Sequence, residues 1–503
     1  FAVLLCKMMD PPKSPTGGGD LGGCNQSSVD GQVDEPTDQP SNSPTSEQQS
    51  PKSPSAYYKG STDQTYRVFR VDRERAMLTP KKRHLCLVMV GLPGRGKSFI
   101  ARKLEVFVNW LDGGHKVRLF NVGKYRRDVL HVGAASFFDM SDKEAMSQRQ
   151  RVAQLAMDDM LGYFASGGEV AIYDATNSTR KRREWILEQC HGRDIAVVFV
   201  ESLCTDEEVL EENFRNKVKH SPDFSGMDFE TAMADLKERI ANYEKLYEEV
   251  DDDSCTYIKL YNLQSKVMCN KAYGRLTKSL LPFLTSIHIA PRPIWLCRGG
   301  RPIGNAKEED HNPSADCKVA PLSPEGRSFT VALADFVHER TKLYAETIRQ
   351  HNPVLHTEDG HCLEQRVTQA DGQINAHARC KMMVSTTART VETCQQVDAA
   401  TATMELYAHL NPLKKGIFED LTMREIEEKD PAWYSQFEED RLHTRFPAGE
   451  SYFDLVRRLE PCLIEAEQQA APVLICSHRA VLQVLYAYFI QRPVSEALRI
   501  PID

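Results

Sequence analysis

The run Gly91-Leu92-Pro93-Gly94-Arg95-Gly96-Lys97-Ser98, set directly after the apolar stretch Leu85-Cys86-Leu87-Val88-Met89-Val90, decides how this chain reads. Glycines at these spacings let successive backbone N–H groups turn inward around phosphate oxygens. The ammonium of Lys97 reaches the outer phosphates, and the hydroxyl of Ser98 ligates magnesium. The apolar stretch has the pattern of a buried strand. After the loop, Phe99, Ile100, Leu104, Val106, Phe107, Val108 and Trp110 recur at spacings compatible with a helix whose N-terminus faces the anion. Strand, loop and helix in this order predict a nucleoside triphosphate site formed by Gly91, Leu92, Pro93, Gly94, Arg95, Gly96, Lys97, Ser98 and Phe99.

With 503 residues the chain is too long for one typical core, so two folded domains plus a tail are expected. The net charge of −8 argues against a general nucleic-acid binder, whose footprint is a basic excess. The 14 cysteines include no C-x-x-C pair, and Cys86, Cys297 and Cys476 sit inside apolar runs. That usage fits reduced thiols in a cytoplasmic protein, without disulfides. No apolar run approaches the roughly 20 residues that cross a bilayer, and residues 1–6 are too short for a signal-peptide core. No membrane or nucleic-acid partner is expected.

Residues 1–60 are rich in Ser, Pro and Gln and read as a disordered tail. Ser14-Pro15, Ser43-Pro44 and Ser53-Pro54 within it are candidate sites of proline-directed phosphorylation. Residues 61–290 alternate strand and helix patterns, with strands at 85–90, 117–121, 170–173, 195–200 and 257–260, which implies a parallel sheet covered on both faces. The acidic run from Glu248 to Asp253 reads as a solvated turn. A second α/β unit spans residues 291–503, with strands at 294–297 and 473–476 and helices at 325–350, 451–469 and 480–490. Residues 351–381 read as a polar surface insertion. Its His356, His361, Cys362, His377 and Cys380 match no standard zinc spacing.

A magnesium ion beside a phosphate loop needs a carboxylate at the end of a neighbouring strand, and Asp174 after Val170-Ala171-Ile172-Tyr173 supplies one. Thr176 follows it into the crevice at the carboxyl end of the sheet. Arg180-Lys181-Arg182-Arg183 and Tyr125-Arg126-Arg127 add a positive rim suited to a second anionic substrate.

These strings, together with Asn109-Trp110, Asn121-Val122-Gly123-Lys124 and Asp174-Ala175-Thr176-Asn177, closely resemble the bifunctional 6-phosphofructo-2-kinase/fructose-2,6-bisphosphatase family. The resemblance implies a P-loop kinase domain followed by a histidine-phosphatase domain of the phosphoglycerate-mutase type. It implies transfer of the γ-phosphoryl of ATP to the 2-hydroxyl of fructose 6-phosphate, with magnesium, in a homodimer. Carried over by motif, Lys97 and Ser98 serve ATP and magnesium, and Asp174 is the catalytic, metal-linked carboxylate. Fructose 6-phosphate meets Arg126, Arg149, Thr176 and Arg182. Cys204 in Glu201-Ser202-Leu203-Cys204 lies near ATP and counts with Lys97 and Asp174 among the catalytic residues. Asn213 and the pair Lys217 and Lys219 correspond to nucleotide and sugar contacts, and the register leaves open which lysine reaches the substrate. Arg239 and Tyr243, four apart on one helix face, match the pair for the sugar phosphate.

The second unit resembles the histidine phosphatases, whose signature is Arg-His-Gly-Glu. Here the corresponding residues are Arg298-Gly299-Gly300-Arg301. Gly299 stands at the phosphoryl-acceptor position, and glycine has no side chain to accept the group. Pro412 stands at the general-acid position, and Arg301 reverses a charge. The frame is retained in Arg298, Arg389, His478 and the run Pro447 to Val456. The expectation is an inactive phosphatase domain, in which Arg298, Arg389 and His478 either still bind phosphate or stand as structural residues of a decayed site. An active bifunctional enzyme and a non-catalytic phosphosugar-binding protein are the alternatives.

Overall fold

Short unbroken apolar runs bury both faces of each central strand, as a sheet flanked by helices requires. The computed structural model describes residues 4–6, 84–111, 117–130, 137, 142–262, 266–272, 274–287, 292–303, 321–351 and 379–502. Apart from Leu4–Cys6, the expected tail lies outside the described residues, as do residues 352–378 of the expected insertion with His356, His361, Cys362 and His377.

Strand β1 (Leu4–Cys6) belongs to the second sheet and is taken up below. The first sheet begins with β2 (His84–Val90), which runs through the phosphate loop into helix α1 (Lys97–Leu111). Strand β3 (Val117–Asn121), helices α2 (Val122–Leu130) and α3 (Lys143–Ala165), and strand β4 (Val170–Asp174) follow. Helix α4 (Arg180–Cys190), strand β5 (Ile195–Leu203) and helices α5 (Glu207–His220) and α6 (Phe229–Glu244) lead to β6 (Tyr257–Tyr261). The order is β3-β4-β2-β5-β6 plus β7 (Lys266–Asn270); all pairs are parallel except β6 with β7. Strands β4 and β5 flank β2 on either side, so the phosphate loop emerges where the winding reverses, the usual ligand crevice of such sheets.

Helix α7 (Arg275–Ser286) precedes the second sheet, which is built from β8 (Ile294–Arg298), β9 (Cys380–Ser385), β10 (Ala402–Tyr407) and β11 (Val473–Ser477). Its order is β1-β8-β11-β9-β10, with β1 antiparallel and the rest parallel. The helices that matter here are α8 (Pro324–His351), α9 (Ala388–Cys394), α10 (Met423–Lys429), α11 (Pro431–Glu439), α12 (Tyr452–Gln468) and α13 (Arg479–Phe489). One reading of the sequence is corrected: Cys380 and Lys381, placed at the end of a surface insertion, open strand β9. In the acidic run Glu248, Glu249, Asp251 and Asp253 are exposed around buried Val250, as a solvated turn requires, and Arg180 pairs with Asp251 at 2.7 Å and Lys259 with Glu249 at 2.9 Å.

The two sheets lie in one compact unit. A single apolar cluster runs from Leu87 and Met89 through Phe107 and Trp110 of α1 to Leu455, Leu459 and Val484 of α12 and α13. The ten cysteines whose side chains are described are all unbridged. Among the described residues, no helix is long and apolar enough to cross a membrane.

Candidate active site

The phosphate loop is held open by its backbone. Gly91 has φ 137°, and a Cβ there would lie 2.5 Å from the carbonyl oxygen of Ser202 at the end of β5. Its N–H donates to the Thr176 carbonyl at 3.0 Å, and the Ser202 hydroxyl donates to the Arg95 carbonyl at 2.5 Å. Glu201, fully buried beside Ser202, is fixed by Lys259 at 3.2 Å and the Tyr247 hydroxyl at 2.5 Å. Asn177, in the left-handed region at φ 46°, donates to the Met89 carbonyl at 2.7 Å and ties the turn after β4 to β2.

Lys97, the first residue of α1, is 8% exposed and donates to the Leu92 carbonyl at 2.6 Å. Burial lowers its ammonium to about 7; Asp174 pulls it back up, while Lys217 and Arg95 push it further down. Asp174 is 2% exposed at the end of β4 and accepts from Asn121 Nδ2 at 2.5 Å. The orientation of that amide is set because Asn121 Oδ1 accepts from the Lys124 N–H at 2.8 Å. Sequence reading assigned no role to Asn121, whose neighbour in the sheet is Asp174 itself.

Helix α5 covers the loop. The Phe214 ring lies against Gly94 and within 5.8 Å of the Arg95 guanidinium. Asn213 and Lys217, one turn apart, share a face. Asn213 Nδ2 is buried without a hydrogen-bond partner, an orphaned donor at the rim of a phosphate loop. Lys217 is lowered chiefly by burial, and it feels both Asp223 and Asp174. Lys217 is partly buried, whereas Lys219 is exposed to solvent.

At the positive rim the organising group is Asp223, to which sequence reading likewise assigned no role. Arg126 donates to both of its oxygens at 2.6 Å, and Arg127 and Arg239 reach it at 3.1 and 3.2 Å. Burial pushes its carboxyl up, but the three guanidinium groups outweigh that and hold it below the usual range. Arg239 also pairs with Asp235 at 2.5 Å and lies over the Phe224 ring. Arg182 donates to Gln150 at 2.6 Å, stacks on Trp185 and lies within electrostatic reach of Tyr173 and Tyr243. Its neighbour Arg183 is structural, donating to the carbonyls of Asn177, Glu248 and Glu249. Arg149 reaches the Phe137 carbonyl and lies over that ring rather than in the Asp223 group. Cys204 is buried near Arg95, and burial pushes its thiol up, the protonated state of a wall residue.

In the second sheet Arg298, Ser385 and His478 stand at the carboxyl ends of β8, β9 and β11, and Arg298 Nη1 donates to the Ile502 carbonyl at 3.3 Å. Arg389 Nη2 donates to His478 Nδ1 at 2.9 Å. A guanidinium only donates, so Nδ1 carries no proton and the imidazole proton is on Nε2. Nε2 lies 3.0 Å from the Ser385 hydroxyl and 3.3 Å from that of Thr387. A Cβ on Gly299 would lie 3.0 Å from Thr390 Cγ2 and 3.2 Å from Arg389 Nε, so the space beside it is already taken. The Pro412 carbonyl accepts from Arg458 at 3.2 Å.

A family model described as 6-phosphofructo-2-kinase matches residues 73–291, and one described as histidine phosphatase superfamily (branch 1) matches residues 357–503. A 6-phosphofructo-2-kinase/fructose-2,6-bisphosphatase of Arabidopsis thaliana is 37% identical over 427 residues, covering 84% of this chain and 51% of that protein. One of Caenorhabditis elegans is 35% identical over 421 residues, 82% of each. Human 6-phosphofructo-2-kinase/fructose-2,6-bisphosphatase 3 is 33% identical over 417 residues, 82% of this chain and 71% of that one. The chain thus spans about half the length of the Arabidopsis relative. A phosphate loop facing an arginine cluster, joined to a histidine-phosphatase sheet, agrees with these matches: the chain belongs to the 6-phosphofructo-2-kinase/fructose-2,6-bisphosphatase family.

Proposed function

We propose that this chain transfers the γ-phosphoryl of ATP to the 2-hydroxyl of fructose 6-phosphate in the cytoplasm, and that its C-terminal half does not hydrolyse the product. The observation that carries the reading is the phosphate loop with buried Lys97 at the start of α1 and buried Asp174 at the end of the adjacent strand β4. The open phosphate loop, the α1 N-terminus and the orphaned Asn213 donor fit a nucleoside triphosphate. Magnesium held between the Ser98 hydroxyl and the Asp174 carboxylate would neutralise charge on the outer phosphates. Lys97 stabilises charge on the transferred group, and Asn121 orients Asp174. Arg126 and Arg239 take the sugar phosphate, with Asp223 holding their guanidinium planes in place and Arg182 and Tyr243 at the flank. Such a site works by position and electrostatics, with no covalent step on the protein.

Loss of hydrolysis is supported by Gly299, which has no acceptor atom, and by Pro412, which has no proton to give. His478 is no substitute, because both ring nitrogens are engaged by Arg389 and by the hydroxyls of Ser385 and Thr387. The test is the purified chain incubated with labelled ATP, magnesium and fructose 6-phosphate, then separately with fructose 2,6-bisphosphate. Product formation without later hydrolysis is expected. Lys97→Met is expected to lower turnover at least about a hundredfold, the equivalent of about 3 kcal/mol for one transition-state donor. Hydrolysis by the wild type would overturn the second half of the reading, and absence of product would overturn the first.

A further inference from the structure

Helix α1 has a function at each end. Lys97 and Ser98 open it at the phosphate loop, and Trp110 closes it against the second half of the chain. Midway stands Lys103, whose ammonium contacts both oxygens of Glu467, at 2.9 and 3.1 Å. Glu467 ends α12 and is fully buried. The Tyr488 hydroxyl donates to Glu467 at 2.6 Å. Arg292 Nη2 donates to the carbonyls of Ala466 and Glu467 at 2.6 and 2.8 Å, closing the C-terminus of α12 with a cation. Arg292 Nη2 also lies 3.7 Å from Glu467 Oε2. About two turns beyond Lys103, Trp110 Nε1 donates to the Val484 carbonyl at 2.8 Å, and its ring meets that of Tyr488 edge to face. Helix α13, which supplies Val484 and Tyr488, has His478 as its N-cap.

A buried carboxylate between two buried cations is an arrangement that removal of one partner leaves uncompensated. Apolar contacts along α1 tolerate small sliding, whereas an ion pair and an indole hydrogen bond have one geometry each. Together they fix the helix along its axis and about it. Lys97 lies six residues, about 9 Å, up the same helix from Lys103. Displacing a reacting group by about 1 Å is costly in such sites.

We propose that Glu467 is a positioning residue of the kinase site: acting through Lys103, it holds the phosphate-loop helix in the register that places Lys97 and Ser98 against the nucleotide. This rests on reading the loop as the ATP site. It assigns the C-terminal half a role in phosphoryl transfer that requires no nucleophile of its own, that of a fixed platform for α1.

The test uses the full chain titrated calorimetrically with the magnesium complex of a non-hydrolysable ATP analogue. Lys103→Met keeps the apolar stem and leaves Glu467 with Tyr488 and Arg292. It is expected to weaken analogue binding about tenfold and to raise the KM for ATP in step, leaving the KM for fructose 6-phosphate unchanged. Lys103→Arg, which restores the cation, is expected to recover wild-type affinity within about twofold. A purely structural contact would lower the melting temperature without moving the analogue affinity. A folded Lys103→Met protein whose affinity stays within threefold of wild type would therefore overturn the proposal. If that variant fails to fold, Lys103→Met with Glu467→Gln removes the uncompensated charge and carries the same threshold. Failure of the double variant to fold would overturn the claim that positioning is separable from folding. Wild-type binding without turnover would instead sink the kinase reading and leave the positioning result standing.

Discussion

Lys97 meets two demands that oppose each other: it must sit deep enough to touch phosphate, and it must stay charged there. Depth wins part of the contest, since burial brings its ammonium to about 7 despite the pull of Asp174. Asp223 shows the opposite balance, because three guanidinium groups overcome its burial and keep it below the ordinary carboxylate range. The sign for Lys97 follows directly. An anionic ligand selects the protonated amine, so affinity is full below about pH 7 and falls above it, toward tenfold per unit as the charge is lost. Analogue binding by the wild type is therefore expected to weaken between pH 7 and 9 and to take up a proton. Lys97→Met should show a flatter profile, any residual slope belonging to Lys217, which burial also lowers. Titration of both proteins in buffers of different ionisation enthalpy measures this, and parallel profiles for the two would refute it.

The element that decides the chemistry is the passage from β2 through the loop into α1, and its glycines are not equivalent. Gly91 combines a φ of 137° with a backbone oxygen 2.5 Å from any added Cβ, whereas Gly96, at φ 77°, has nothing within 4 Å. Gly91→Ala should therefore cost about 2–3 kcal/mol of stability and weaken analogue binding more than tenfold. Gly96→Ala should cost about 1 kcal/mol, the ordinary penalty of a left-handed residue. Denaturant unfolding of both variants checks the order, and equal losses would contradict it. This passage was legible in the sequence because each part of it is local: an apolar run, a spaced set of glycines and a helical period. Asp174 was legible for the same reason, as the last residue of its strand. Strands β7 and β10 were not, since they lie at sheet edges where exposed Lys266, Cys269, Met404 and Glu405 break the apolar run. Asn121 and Asp223 escaped because their roles come from partners 53 and 97 residues away, Asp174 and Arg126. The choice between Lys217 and Lys219 needed the helix docked, since two residues of offset turn a side chain about 200° around the axis.

At the scale of the whole molecule, two domains were the natural expectation from length and from two strand-and-helix series, and each series does build its own sheet. What no local pattern announces is that the sheets share a core. Leu104, Phe107 and Trp110 read as the buried stripe of one helix, and nothing in their spacing tells which of them faces β2 and which faces α12 and α13. The contact is large-grained and polar at its centre: Trp110 meets Tyr488 edge to face at 6.0 Å, and Lys103 meets Glu467 about two turns away along α1. Separating the halves would expose these aromatic rings and leave a buried carboxylate between Arg292 and Tyr488 without its lysine, so neither half opens alone at low cost. Cooperative unfolding of both sheets follows. Scanning calorimetry of the full chain is expected to show one main transition. Saturation with the magnesium complex of the analogue at about a hundred times Kd stabilises the folded state by about 3 kcal/mol. That should carry the entire transition upward by several degrees, including the melting of the second sheet. A second peak that ignored the analogue would mean that the two sheets melt independently, and the shared core would then be contact without coupling.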